Sequence, residues 1–417
     1  MVKETWSGMT PRRRAIAATL LVVSLAHFGL GSWRAAARGF VDLHIFLQRT
    51  YEFSLTGELY PDADNEKAYA AAAPVYKAPP LFAILLLPQV RGGIPADIYA
   101  YHWIAHILLY LATVLLLLRT LGPGRGPWLS IWLAVLALNF VPFFETLWRL
   151  QLETPILFLV VLALWLDGKG RKYLAGAAIG VAVMLKVYPV FLLGWFVVRR
   201  CARGLVGAFV TMAALGLLGW WVVGAEQNLA YFTVLLPRML QESARIDPEN
   251  VSLAKPFQTL LGLAPPLAKR ATQMVALAVL SGGYWILYRR GDDRGRSLDP
   301  TLLLALFVCA MLMFMPNAWT NYLLLLLVPF AVVLSRMAHD VPSNTGAAGS
   351  ALFAFFLTLF YTPCGSFREG IPCTEDPPFL GVLRWPRGVH DLMVEWKVVA
   401  VAALVAAWFA VARKPDA

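Results

Sequence analysis

The stretch AIAATLLVVSLAHFGLGSW, residues 15–33, decides the class of this protein, because it is apolar throughout and carries no Asp, Glu, Lys or Arg. A helix needs about 20 such residues to cross the hydrocarbon core of a bilayer. PRRR precedes the run and no clean small-residue cleavage site follows it, so we interpret it as a signal anchor rather than a cleaved signal peptide. The sequence therefore predicts a membrane-anchored chain.

The composition extends this interpretation to the whole chain. Of its 417 residues, 59% are hydrophobic and only 15% are charged, which is far from the composition of a soluble globular domain. The net charge of +11 could indicate a nucleic-acid partner, but in a membrane protein Lys and Arg are first expected in cytoplasmic loops. We therefore predict an all-α, polytopic membrane protein that binds membrane lipids and no nucleic acid.

Length and hydropathy predict twelve membrane-spanning helices. The segment PPLFAILLLP, residues 79–88, is excluded because it is too short to span and is bounded by prolines, and we predict that it lies in the membrane interface. The predicted spans are 15–33, 98–118, 127–145, 153–167, 172–187, 188–199, 204–223, 271–288, 301–315, 320–336, 349–362 and 396–412.

The basic loops set the predicted orientation. With twelve spans, PRRR, RTLGPGR, DGKGRK, RRCAR and RRGDDRGR all fall on one side, which the positive-inside rule assigns to the cytoplasm together with both termini. We expect a single polytopic domain over residues 1–417. Three long loops then face outward: 34–97, which carries the interfacial helices, 224–270 and 363–395.

The outer loops hold few candidates for a metal or a disulfide. Cys364 and Cys373 lie in one outer loop, where an oxidising compartment permits a disulfide between them. The four cysteines have no zinc-site spacing, and the acids Asp62, Asp64 and Glu66 fit no EF-hand. We expect no cofactor, with a divalent cation left open as the alternative.

The first outer loop begins with an acid, Asp42, in the stretch GFVDLHIF at residues 39–46. A solvated loop carboxylate is the ordinary explanation. The residues that follow favour a function instead, because they form an ordered series: an amphipathic stretch, a Gly-x-x-Tyr turn, and a Tyr-x-x-Pro-Pro motif made by Tyr76, Pro79 and Pro80. This last motif leads directly into the predicted interfacial helix.

This series and three later blocks resemble the GT-C glycosyltransferases, and in particular glycosyltransferase family 87. That family includes polyprenyl-phosphate-dependent bacterial α-1,2-mannosyltransferases. In the last block Asn321 stands where many family members have His before the Tyr, which puts the donor in question. The later blocks are LQLETPILF…KVYPVFLL at 150–193, ENVSLAKPFQTLLG at 249–262 and MPNAWTNYLLLLLVP at 315–329.

The resemblance implies an inverting transfer of a sugar from a polyprenyl phosphate to a hydroxyl. One carboxylate that accepts the hydroxyl proton suffices, and a general base of this kind contributes roughly 10²–10⁴ in rate. A glycosidase needs a second carboxyl group to protonate the leaving alkoxide, whereas a phosphate leaves readily because its second pKa is about 6. Asp42 occupies the position of the family's base.

The departing phosphate needs cations, because charge-assisted hydrogen bonds to phosphate are strong. Lys186 matches the family's Lys-x-x-Pro, and Arg149 and Lys255 are further candidates. Glu153 could orient Lys186 or Arg149. For all of these cations and aromatics, ordinary anchoring at the membrane interface is the alternative. Sugar, acceptor or lipid contacts are predicted at Gln151, Tyr76, Pro79, Pro80, Asn250, Ser252, Trp319, Asn321 and Tyr322.

A transporter and a non-catalytic scaffold are the alternatives to an enzyme. A transporter or flippase of lipid-linked sugars would carry charges and broken helices at mid-membrane depth, whereas the predicted helix centres here are nearly free of charge. A scaffold would not need the ordered outer motifs. Among enzymes, a GT-C transferase with an arabinofuranose or aminoarabinose donor is the alternative. The sequence patterns do not separate these sugars, and the resemblance implies a hexosyltransferase with mannose as the expected sugar. We expect it in a bacterial inner membrane, with its site on the outer face and a glycolipid or glycan acceptor.

Overall fold

The computed structural model contains helices and turns, as the sequence predicts. In the residues that it describes there is no strand, and β-type pairing is limited to isolated bridges between Arg91 and Gly93 and between Asn250 and Trp319. The described residues are 9–37, 39–61, 76–122, 127–241, 250–290, 298–337, 351–352, 355 and 397–412.

The helices follow one another in the order that the hydropathy pattern predicts. Short 3₁₀ turns cover Tyr188–Leu192 and Thr320–Leu326, and a π-helical turn covers Tyr231–Leu235. The described α-helices are α1 Pro11–Ala37, α2 Val41–Thr56, α3 Pro80–Val90, α4 Ile98–Leu121, α5 Pro127–Leu138, α6 Val141–Arg149, α7 Glu153–Gly168, α8 Lys172–Leu185, α9 Leu193–Val198, α10 Ala202–Val223, α11 Ala225–Ala230, α12 Leu236–Gln241, α13 Ala254–Thr259, α14 Pro265–Arg290, α15 Pro300–Phe314, α16 Leu327–Met337 and α17 Lys397–Ala412.

Several of these helices are long and apolar enough to cross a membrane, so the chain is a helical membrane protein. Counting the bent pair α5 and α6 as one span brings the number to six among the described residues. The total of twelve stays a prediction, and the predicted span 349–362 lies mostly outside the described residues. The five single spans are Pro11–Ala37, Ile98–Leu121, Ala202–Val223, Pro265–Arg289 and Thr320–Met337.

The prediction of one continuous helix over 127–145 is wrong. The structure breaks it into α5 and α6, which differ in direction by 40°. Pro142 has no N–H, so it cannot donate to the Leu138 carbonyl four residues earlier, and one backbone hydrogen bond is lost at the break. Beside the break, the Asn139 side-chain amide donates to the Val135 carbonyl at 2.7 Å and to Ser24 Oγ at 2.8 Å.

The chain divides into two compact units, and each is described by itself. The first unit consists of Met1–Arg38, Tyr110–Leu147 and Ser243–Ala417. The second unit consists of Gly39–Leu109 and Trp148–Glu242. A single domain over residues 1–417 stays a prediction.

Small residues let α8 and α10 pack closely in the second unit. A Cβ atom added to Gly176 would lie 1.8 Å from the Gly204 carbonyl oxygen, and one added to Gly207 would lie 2.1 Å from the Tyr173 carbonyl oxygen. Glycine is needed at such positions because the two backbones touch, which is a usual way for membrane helices to associate. The small-residue stretch of α8 therefore has a packing role.

A buried acid joins two basic loops at one end of the second unit. Asp167 Oδ1 accepts a hydrogen bond from Lys172 Nζ at 2.7 Å, and its Oδ2 accepts one from an Arg199 terminal nitrogen at 2.8 Å. The Arg199 guanidinium also lies over the Trp195 ring. The DGKGRK and RRCAR loops thus lie at the same end of this unit, as the sequence predicts. Their assignment to the cytoplasm stays a prediction.

The chain that follows α2 is held by backbone hydrogen bonds. Gly57 takes a left-handed φ of 77° and its N–H donates to the Phe53 carbonyl at 2.8 Å, which ends the helix. The amides of Leu59 and Tyr60 then both donate to Gln227 Oε1, at 2.9 and 3.0 Å. One glutamine from α11 therefore holds the chain where it leaves α2.

Aromatic rings fill part of the core of the first unit. Phe28 on α1 stacks with Phe143, and Phe143 stacks with Tyr110 at a centroid distance of 3.9 Å. Gly31 leaves room for Phe144, since an added Cβ would come within 2.8 Å of that ring. At another place in this unit, Trp408 Nε1 donates to the Leu302 carbonyl at 2.8 Å, which joins α17 to α15.

Asn250 clips two segments of the first unit together. Its Oδ1 accepts hydrogen bonds from the amides of Ser252 and Ala318, at 3.0 and 3.1 Å. Its Nδ2 donates to the Pro316 carbonyl at 3.3 Å and to Asn317 Oδ1 at 3.2 Å. Two donors and two acceptors are the full capacity of an asparagine side chain. The ENVS segment is therefore bonded directly to the MPNAW turn.

We expect Gly176→Ala to destabilise the protein by about 1–3 kcal/mol, because the added methyl group meets backbone that must move. Gly216→Ala on α10 is the matched control, since a Cβ there has nothing within 4 Å. The midpoint of thermal unfolding in detergent should fall for the first variant and not for the second. Equal midpoints would contradict the close packing of α8 and α10.

We expect Asn250→Ala to cost at least about 2 kcal/mol, because it leaves the buried amides of Ser252 and Ala318 without their acceptor. Asn317→Ala should cost less, since Asn317 is partly exposed and water can replace its side chain. Unfolding of both variants in the same detergent gives the comparison. A harmless Asn250→Ala would show that the clip does not stabilise the fold.

Candidate active site

Asp42 lies in the first turn of α2, where the helix dipole favours a negative charge. Its side chain is 18% exposed and its contacts converge on one oxygen. Oδ2 accepts a hydrogen bond from Gln151 Nε2 at 2.6 Å and lies 3.5 Å from an Arg149 terminal nitrogen. Oδ1 has no hydrogen bond within the described part of the chain. The carboxylate is thus held at one oxygen and available at the other.

A strained turn presents the two residues that contact Asp42. Arg149 ends α6, Glu153 begins α7, and Leu150 between them is buried with a φ of 50°. A left-handed conformation is uncommon for a residue other than glycine and is often found at functional sites. Here it lies between Arg149 and Gln151, whose side chains both reach Asp42. The backbone conformation thereby brings two hydrogen-bond donors to one carboxylate.

Lys186 completes the cluster at the end of α8. Its Nζ donates to Gln151 Oε1 at 3.2 Å and pairs with Glu153 Oε1, and its side chain is 20% exposed. Of the two partners that the sequence suggested for Glu153, the structure selects Lys186. The Gln151 amide donates to Asp42 and accepts from Lys186, so its orientation is fixed. We call Asp42, Arg149, Gln151, Glu153 and Lys186 the Asp42 cluster.

The Asp42 cluster balances its formal charges, with two carboxylates and two cations. Glu153 is fully buried, and a buried carboxylate is costly unless a cation pairs with it. Arg149 and Lys186 keep part of their side chains exposed, and Arg149 also lies over the Trp148 ring at 4.4 Å. Both cations are therefore partly accessible and are held by partners on neighbouring segments.

The Tyr-x-x-Pro-Pro motif forms a buried turn of the second unit. Tyr76 packs against Phe46 and Tyr60 at centroid distances of 5.7 Å, and the Tyr60 hydroxyl donates to the Ala78 carbonyl at 2.9 Å. Burial raises the pKa of Tyr60 and of Tyr76 well above the usual value, so both hydroxyls stay protonated. The two prolines, Pro79 and Pro80, start α3. Tyr76, Pro79 and Pro80 are buried here, and their contact with a lipid stays a prediction.

The remaining predicted site residues lie in the first unit. Asn250 and Ser252 belong to the clip, and Asn250 has no hydrogen-bonding capacity left for a sugar unless a clip bond breaks. Asn321 is buried and its carbonyl accepts from Thr146 Oγ1 at 3.3 Å. The predicted contacts of this set with a donor stay predictions. Its other members are Lys255, which is buried on α13, Trp319, which pairs with Asn250, and Tyr322 in the 3₁₀ turn Thr320–Leu326.

Most residues of the metal and disulfide predictions lie outside the described part of the chain. Within the described ranges no three His, Cys, Asp or Glu side chains are grouped for a metal ion. Asp62, Asp64 and Glu66 lie outside those ranges, as do Cys364 and Cys373. Cys201 and Cys309 are free thiols. The absence of a cofactor and the disulfide therefore stay predictions.

Comparison with known proteins supports the family resemblance. The sequence model of glycosyltransferase family 87 matches residues 76–316, which is more than half of the chain and includes the Arg149–Gln151 turn and Lys186. No solved structure matches the chain. A curated relative from Mycobacterium tuberculosis is 26% identical over 329 residues, covering 75% of this chain and 70% of the relative. It is described as a polyprenol-phosphate-mannose-dependent alpha-(1-2)-phosphatidylinositol pentamannoside mannosyltransferase. The chain is a membrane protein that belongs to glycosyltransferase family 87.

Proposed function

We propose that this protein transfers a hexose, mannose in the first instance, from a polyprenyl-phosphate sugar to a hydroxyl of a glycolipid or glycan acceptor. The observation that carries the proposal is the Gln151 amide, which connects the carboxylate of Asp42 with the ammonium group of Lys186. A base for the acceptor and a cation for the leaving phosphate are thereby held side by side. The description of the M. tuberculosis relative supports the choice of donor.

The proposed base is Asp42 Oδ1. The acceptor hydroxyl gives its proton to Oδ1 while its oxygen forms a bond to the anomeric carbon, on the face opposite the phosphate. The hydrogen bond from Gln151 to Oδ2 keeps the carboxylate oriented. Inversion at the anomeric carbon follows from attack on the opposite face, and a single carboxylate is sufficient for it.

The proposed phosphate contacts in the second unit are Lys186 and Arg149. The bond between the anomeric carbon and the phosphate oxygen breaks, and the electron pair leaves with the polyprenyl phosphate. Cations stabilise the negative charge that develops there, and the planar guanidinium of Arg149 suits a phosphate because it can bind two oxygens at once. Glu153 holds Lys186 in place from the buried side. No step requires a metal ion, and a divalent cation is left open.

The positions of the Asp42 cluster and the basic loops support an outer-face site. Glu153 begins α7 and Asp167 lies near its end, so about 20 Å of helix separates the cluster from the Asp167 contacts. Helix α8 also connects the Asp167 contacts with the Asp42 cluster, since it begins at Lys172 and is followed by Lys186. If the basic loops face the cytoplasm of a bacterial inner membrane, as the positive-inside rule favours, the cluster faces outward.

A GT-C arrangement of twelve spans completes the proposal. In it the short apolar helix α3, which follows the buried Tyr76 turn, lies in the membrane interface beside the isoprenoid chain of the donor. Its length of 11 residues suits that position better than a span. The loops at 34–97, 224–270 and 363–395 then lie on the outer side.

We expect Asp42→Asn to lower the rate of sugar transfer by about a hundredfold or more, because asparagine keeps the shape but cannot take the proton. Purified protein is given radiolabelled polyprenyl-phosphate sugars, mannose first and pentoses next, with a membrane lipid extract as acceptor. Glu52→Gln is the matched control, since Glu52 lies on the same helix and bonds to Gln48 and Arg49. Transfer that survives in folded Asp42→Asn would remove Asp42 from the mechanism. No transfer by wild type from any donor would favour the transporter.

Lys186→Met separates the structural role of Lys186 from its proposed phosphate contact. The single variant should lose both activity and stability, because it leaves the buried Glu153 carboxylate without its cation, a loss of about 3–5 kcal/mol. Adding Glu153→Gln should restore much of the stability but not the activity, with a raised KM for the donor. The measurements are thermal unfolding and steady-state transfer. An active double variant would show that the phosphate does not need Lys186.

A further inference from the structure

The carbonyl of Gln151 lies just before α7 and accepts no backbone hydrogen bond from that helix. In an α-helix the N–H four residues later binds each carbonyl, and the residue four positions after Gln151 is Pro155, which has no N–H. The next carbonyl shows the normal pattern, since Leu152 accepts from the Ile156 amide at 3.0 Å. The peptide that carries the Gln151 side chain therefore needs its donor from elsewhere.

His106 on α4 lies where it can supply this donor. Its Nε2 lies 3.1 Å from the Gln151 carbonyl oxygen, and its Nδ1 lies 2.8 Å from the carbonyl oxygen of His102, one turn earlier on the same helix. Both partners are carbonyl oxygens, so each contact is a hydrogen bond only where its ring nitrogen carries a proton. An imidazolium ring donates to both carbonyls, whereas a neutral ring donates to one. The residue is buried, so water does not readily take over this role.

The contact between His106 and the Gln151 carbonyl lies next to Leu150, in the turn that places the Arg149 and Gln151 side chains. Leu150, directly before Gln151, has the left-handed φ of 50°, and such conformations persist only where the surroundings fix them. The Gln151 side chain must donate to Asp42 and accept from Lys186 at once, which fixes the direction of its Cα–Cβ bond. A rotation of the Gln151 peptide would break at least one of these contacts.

We propose that His106 is a positioning residue of the transferase: its Nε2–H binds the Gln151 carbonyl and holds the strained turn in the conformation that aims Arg149 and Gln151 at Asp42. This inference rests on the proposed function for its effect on activity, but not for its structural content. His106 touches neither donor nor acceptor in this scheme. It acts on Asp42 through the backbone and side chain of Gln151.

Three substitutions test the proposal. His106→Leu removes both ring nitrogens, and His106→Gln keeps an amide N–H at about the distance of Nε2. His102→Leu is the matched control, because it removes an imidazole one turn away that contacts Gln89 and keeps the His102 carbonyl. All three are compared with wild type in steady-state transfer from polyprenyl-phosphate mannose and in thermal unfolding.

His106→Leu should lower kcat about 10- to 100-fold, the usual loss when a group that orients a site residue is removed. The KM for the donor should stay close to that of wild type, because Lys186 keeps its partner Glu153. His106→Gln should recover most of kcat, and His102→Leu should keep it. Equal losses in His106→Leu and His106→Gln, or an undiminished kcat in folded His106→Leu, would overturn the proposal. The proposal would also be overturned if the lowered unfolding midpoint of His106→Leu accounted for its whole loss of kcat and His106→Gln did not restore kcat.

A second readout does not depend on activity. In ¹⁵N-histidine-labelled wild type, the His106 resonances are assigned by their loss in His106→Gln, and their chemical shifts distinguish a protonated ring nitrogen from a bare one. A protonated Nε2 is expected, and a bare Nε2 would overturn the proposal. If wild type transfers no sugar, the proposed function fails, whereas the nitrogen spectrum still decides whether His106 donates to Gln151.

Discussion

The second unit depends on keeping charges paired within a largely apolar helical protein. A buried carboxylate such as Glu153 is acceptable only beside a cation, and Lys186 supplies that cation from the end of the neighbouring helix. The Gln151 amide then extends the pair to Asp42, which is itself only partly exposed. Removing Lys186 would leave the buried Glu153 carboxylate without the cation that pairs with it. The need to satisfy buried charge thus holds three chain segments, α2, the turn before α7 and the end of α8, in a fixed arrangement.

Sequence order identified most members of this cluster. Motif matches predict Asp42, Gln151 and Lys186, and the position of Arg149 in a turn between two apolar helices predicts that residue. The structure brings all four together. The left-handed conformation of Leu150 was not predictable, because nothing in a leucine indicates it. It arises from the contacts around the turn, which join residues far apart in the chain.

Other parts of the prediction show the limits of local patterns. Hydropathy predicts the length of the apolar run at 127–145 but not its break. The break depends on backbone hydrogen bonding near Asn139 and Pro142, which hydropathy does not measure. Asn250 was predicted as a sugar contact from its motif. Its partners at Pro316, Asn317 and Ala318 are more than 60 residues away in sequence, so the clip could not be predicted from the residues around it.

The clip also bears on how the protein can be produced. Asn250, Val251 and Ser252 form an Asn-x-Ser sequence, which is an acceptor for N-linked glycans in the secretory pathway of eukaryotic cells. The Asn250 amide nitrogen is buried and donates two hydrogen bonds, so a glycan could be attached only before folding. A glycan there would replace one of the two amide hydrogens and put a bulky polar group where the MPNAW turn packs. Bacterial expression avoids this modification, whereas expression in eukaryotic cells calls for a check of the occupancy of Asn250.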